Sequence, residues 1–119
     1  MDVAARISVV VVGLLHVWFL VLEMFLWTKP LGLRTFRQGA DDAERTRVLA
    51  ANQGLYNGFL AAGLFWGASL GSAGRALDVF FLACVLVAGL YGAATASRSI
   101  LVVQALPALI ALLLVFAGL

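Results

Sequence analysis

Apolar residues in this chain neither alternate nor recur as narrow stripes; they continue in long runs. Residues 7–27, 48–70, 76–96 and 100–118 are four stretches in which polar side chains are sparse. A bilayer core about 30 Å thick is crossed by roughly 20 mostly apolar residues in a helix. Transmembrane strands would alternate apolar and polar residues over about half that length. Helices are therefore expected, because they satisfy every backbone N–H and C=O within the segment. The pattern predicts an all-α, polytopic membrane protein: one four-transmembrane-helix bundle over residues 1–119, with a loop at 28–47. The first run reads as a span rather than a cleaved leader. It is long, Asp2 offsets Arg6 before it, and Thr28, Lys29 and Pro30 follow it instead of a small-residue cleavage site.

Composition agrees with the pattern. Of 119 residues, 64% are hydrophobic and 12% charged, against about half and about a quarter in soluble domains. A soluble fold of this size could not bury so much apolar surface. A disordered chain would need the opposite balance, and a single cysteine, Cys84, excludes a disulfide scaffold. Lys29, Arg34, Arg37, Arg45 and Arg47 lie in the first loop and Arg98 in the short loop after the third run, whereas only Arg6 and Arg75 lie on the other side. The positive-inside rule then makes the 28–47 loop cytoplasmic and puts both termini outside. A net charge of +2, placed at membrane ends, suits lipid headgroups and gives no reason to expect nucleic acid. Asp41 or Asp42 is expected to cap the second helix.

Polar groups inside lipid are costly and call for partners or a function. Counted at about 1.5 Å per residue, Glu23 lies roughly 6 Å inside the cytoplasmic end and His16 about 16 Å. On the second helix, Asn52 and Gln53 match the depth of Glu23, and Asn57, beside Tyr56, matches His16. Tyr91 and Gln104 add polar groups on the cytoplasmic side of the third and fourth runs. His16 and Glu23, seven apart, share a face, as do Gln53 and Asn57. These eight residues outline a pocket open to the cytoplasm beneath an apolar outer half. Glu23 and His16 are its candidate acid–base pair, and Asn52, Gln53, Tyr56, Asn57, Tyr91 and Gln104 its candidate ligand-binding residues. Each amide could equally serve as interhelical glue. Pro107 is expected to kink the fourth helix. Nothing in the sequence has the spacing of a metal site, and no cofactor is indicated. Gly54, Gly58 and Ala62, Gly63, Gly67 and Gly71, and Gly89, Ala93 and Ser97 form small-residue ridges. These allow close helix packing, including a homo-oligomer through the second or third helix.

The segments "LEMFLW", "NQGLYNGFLAAGL", "YGAATASR" and "VQALPALIALLL" together resemble the domain of unknown function 1304 family, small four-helix membrane proteins found mainly in bacteria. The resemblance implies a multi-pass inner (plasma) membrane protein and no particular activity. The stretch "ERTRVLAANQGLYNGFLAAGL" is also similar to the second helix of the membrane-associated proteins in eicosanoid and glutathione metabolism. Arg47, Gln53 and Asn57 stand at the Arg and two Asn positions of that helix, and Tyr56 stands where those proteins carry Glu. That likeness implies glutathione as an alternative cofactor and a membrane enzyme as an alternative function. A pocket for a small or lipid-like molecule is the first expectation, and a structural or transporter subunit is the remaining one.

Overall fold

Long apolar runs leave the backbone no partner but itself, and the chain is helical over nearly all its length. A computed structural model of the chain, describing residues 2–118, is all-α. Met1 and Leu119, the ends of the expected 1–119 domain, lie outside the described residues. The helices are α1 (Val3–Met24), α2 (Pro30–Phe36), α3 (Ala40–Ser69), α4 (Arg75–Thr95) and α5 (Leu106–Phe116). A tight 3-10 turn (Gly71–Gly74) precedes α4 and a π-helical turn (Leu101–Ala105) precedes α5. Val3–Met24, and Gly71–Thr95 with its leading turn, are long and apolar enough to cross a membrane; Leu101–Phe116 is apolar but shorter. The 30 residues of α3 have the length, but its amides and the charges of its first turns dilute its apolar character.

Two expected boundaries move. Helix α1 stops at Met24, three residues before Trp27. The Val21 carbonyl accepts both Phe25 N–H (3.0 Å) and Leu26 N–H (3.1 Å), which widens the last turn and ends the helix. Helix α3 begins at Ala40, so most of the 28–47 loop is helical. Asp41 and Asp42 therefore lie inside its first turn rather than at its cap, where negative charge favours the helix dipole. Pro107 stands in the first turn of α5. Lacking an N–H and crowding the carbonyl four residues back, it follows a π turn in which Leu106 N–H reaches the Leu101 carbonyl five residues earlier.

The chain divides into two compact units, and α1 and α3 run through both. The first takes the described residues up to Leu14 and from Leu60 onward. Its core is made of Ala5, Val9 and Val12 from α1, Leu64 and Ala68 from α3, Leu82 and Val85 from α4, and Ala108, Ala111, Leu112 and Val115 from α5. Many of these are small, and small residues let backbones approach. A Cβ on Gly89 would stand 2.7 Å from the Ala105 nitrogen, and one on Gly63 would strike the Phe81 ring. The second unit is Leu15–Phe59: the end of α1, α2, and the first two-thirds of α3. Here α2 rests on the turn that follows α1 through Gly32, where a Cβ would fall on the Leu26 carbonyl. Helix α2 ends at Arg37, which takes the left-handed conformation (φ 52°) while Gln38 N–H closes on the Leu33 carbonyl at 3.1 Å.

Candidate functional site

The buried face of α1 follows the spacing of its sequence. Ala5, Val9, Val12, His16 and Glu23 recur at intervals of three, four and seven and are buried, a stripe along one side of the helix. Within the Leu15–Phe59 unit this face brings Glu23 to α3. A Cβ on Gly54 would stand 2.6 Å from Met24 Cγ and 3.1 Å from Glu23 Cβ, and one on Gly58 would stand 2.7 Å from Leu20 Cδ1. The first small-residue ridge of α3 thus receives the end of α1.

That approach sets the hydrogen bonds. Gln53 Nε2 donates to Glu23 Oε2 at 2.6 Å, and Asn57 Nδ2 donates to Glu23 Oε1 at 2.5 Å. Glu23 is 4% exposed and Asn57 9%. Both donors are neutral amides, so Glu23 is held by dipoles. The sequence places Asn57 one layer deeper, with His16; in the structure it joins Glu23. Gln53 and Asn57 are one turn apart on one face of α3, and the two carboxylate oxygens bridge that turn. His16 is fully buried and meets the Phe19 ring edge-on, with centroids 5.0 Å apart.

The other expected residues take different places. Asn52 turns back on its own helix, its Nδ2 donating to the Val48 carbonyl at 3.0 Å. Tyr56 is exposed beside Phe59. Tyr91 and Gln104 belong to the other unit: Tyr91 is exposed on α4, and Gln104 is half-buried in the π turn. Next to Glu23 lies an open cleft of about 400 Å³, lined by Glu23, Trp27, Thr28, Arg47 and Asn52 among others. Trp27 is fixed there by its Nε1–H, which donates to Thr46 Oγ1 at 3.1 Å, and by the Phe36 ring 4.7 Å away. Arg47 gives its Nε–H to Glu44 Oε1 at 2.8 Å. Both partners are well exposed, so this ion pair contributes little stability. Arg47 lines the cleft from the early turns of α3, and its signal in the sequence was the run of good helix formers around Ala43, Glu44 and Arg45; Thr28 lines it from the turn that follows α1.

A second buried carboxylate was not legible. Asp78 stands two residues inside the expected third run, where it reads as an end residue. In the structure it is fully buried, and neither oxygen has a hydrogen-bond partner among the described residues. Its Oδ1 lies where a Cβ on Gly67 would go. Gly67→Ala is therefore expected to cost about 1–3 kcal/mol through overpacking. Asp78→Ala in the same chain should relieve most of that loss, a non-additive pair. Thermal melting in detergent of the two single variants and the double variant checks this.

The sequence over residues 10–116 matches the family model described as a protein of unknown function, DUF1304. The chain is similar to the uncharacterized protein YpaA of Lactococcus lactis subsp. lactis (strain IL1403). The two are 30% identical over 115 residues, which cover 95% of this chain and 97% of that one. No solved structure matches.

Proposed function

The chain belongs to the DUF1304 family of proteins of unknown function, and we propose that it is a multi-pass inner-membrane protein that holds a small or lipid-like molecule beside Glu23. In this reading the four apolar runs span the bilayer, the termini are outside, and the cleft opens toward the cytoplasm. Support for the membrane comes from side chains such as Ile7, Leu14, Trp18, Phe80, Val87, Leu113 and Phe116, which are large, apolar and exposed. A soluble monomer rarely leaves so much apolar surface uncovered, whereas lipid accepts it. Support for binding comes from one observation: a buried carboxylate, held by two neutral amides, lines an open cleft. Glue alone needs no cleft.

The experiment compares the wild type with Glu23→Gln and Asn57→Ala, purified under mild conditions and examined by mass spectrometry for a co-purified molecule. The wild type should carry a ligand that both folded variants have lost. Retention of the same ligand by both variants would overturn the reading. Loss of the fold in both would favour interhelical glue.

A further inference from the structure

The charges around the cleft specify more than its size does. A carboxylate offers about four acceptor positions, and Gln53 and Asn57 occupy one on each oxygen of Glu23. Neither donor carries charge. The cleft therefore contains a carboxyl group with acceptor positions beyond those two. Arg47 also lines it. Its Nε–H is engaged by Glu44, which leaves the remaining four of the five guanidinium donors. Gln53, which holds Glu23, is six residues along α3 from Arg47, a rise of about 9 Å. Thr28 and Asn52 add neutral polar groups to the same lining. Phe25, Val48 and Leu55 bring exposed apolar side chains to it.

A ligand complementary to this lining needs a hydrogen-bonding cation at one end and an anion at the other. We propose that the cleft binds a zwitterion in which a primary ammonium, directed to Glu23, is joined by a short chain to an anion held by Arg47. Phosphoethanolamine is that chemistry, either as the headgroup of a membrane lipid or as a soluble glycerophosphoethanolamine. The ammonium N–H groups fill the open acceptor positions of Glu23 and balance its charge. The guanidinium of Arg47 takes the phosphate oxygens in paired hydrogen bonds. The apolar rim accommodates the beginning of acyl chains. This inference rests on the binding reading above and names its ligand class.

The test uses the full chain in phosphatidylcholine nanodiscs doped with phosphatidylethanolamine or phosphatidylglycerol, with native mass spectrometry reading the retained lipid. The wild type should retain phosphatidylethanolamine about tenfold over either other lipid, equivalent to about 1.4 kcal/mol. Choline lacks the N–H donors, and glycerol lacks the cation. Glu23→Gln should abolish the preference. Arg47→Gln, at an exposed position that leaves the helix intact, should weaken retention even if Glu23→Gln does not fold. Displacement by glycerophosphoethanolamine identifies a soluble source, and failure to displace identifies the lipid; both support the shared chemistry. Preferred retention of phosphatidylglycerol, or unchanged phosphatidylethanolamine retention in Arg47→Gln, overturns the ligand class while leaving a binding cleft. If the retained molecules, including the one co-purified, are all indifferent to Glu23, the binding reading fails with it.

Discussion

Replacing Asn57 by leucine is expected to lower stability by about 2–3 kcal/mol, the range for losing a hydrogen bond to a charged group where the acceptor stays buried. Leucine removes the 2.5 Å donor to Glu23 Oε1 and puts hydrocarbon against the carboxylate. The cost is therefore more than a lost bond: a buried carboxylate oxygen is left without a partner. Replacing both Glu23 and Asn57 by leucine should recover most of the loss, because apolar residues of similar size often substitute for a buried charged network without penalty. Gln53, on the exposed side of the group, can then turn away. Thermal or denaturant unfolding in detergent, run on the single and double variants, reads the difference. A double variant as weak as Asn57→Leu would show that the carboxylate is not the source of the cost. The stable double variant should also carry no ligand, which separates holding the fold from holding a molecule.

The second large effect is expected at Gly32. Alanine is ordinarily the better helix residue by about 1 kcal/mol, so propensity alone predicts that Gly32→Ala would stabilise α2. Packing reverses the sign. The added Cβ would fall on the Leu26 carbonyl and stand 2.9 Å from the Trp27 oxygen, and these are backbone atoms that cannot rotate away. Helix α2 must lift, at an expected cost of about 3 kcal/mol, the upper end of overpacking penalties. Trp27 would then lose its contact with Phe36 and its hydrogen bond to Thr46. Trypsin has sites at Arg34 and Arg37, so cleavage through local opening should accelerate roughly a hundredfold for that free energy. Trp27 fluorescence should shift to the red. Unchanged proteolysis would mean that the contact between α2 and the Leu26–Trp27 turn is not held as described.

The pairing of Glu23 with Gln53 could be anticipated by counting depth from the ends of the apolar runs, and the shared face of His16 and Glu23 follows from their spacing of seven. The same counting set Asn57 beside His16 and did not foresee that its amide reaches Glu23. Its starting points were Trp27 and Val48, whereas α1 ends at Met24 and α3 begins at Ala40. A hydropathy run measures a length suited to lipid, not the length of a helix. The charged residues around Glu44 and Arg47 are good helix formers and extend α3 beyond the run, which is how Arg47 comes to line the cleft. Asp78 shows the complementary limit. Its position near the end of a run suggests exposure, but Gly67 receives it and the neighbouring core covers it.

By itself, the sequence determined the helical class, the four apolar runs, the family, and which polar side chains fall within those runs. These properties are local: composition and periodicity act along one helix axis and need no knowledge of its neighbours. Tertiary structure alone decided that Glu23 engages Asn57 as well as Gln53, that Asn52 turns back on its own helix, and that Asp78 is buried. Those outcomes depend on how closely and in what register two helices meet. In this chain Gly54, Gly58 and Gly67 set that approach, because with no Cβ in the way a neighbouring side chain can occupy its place.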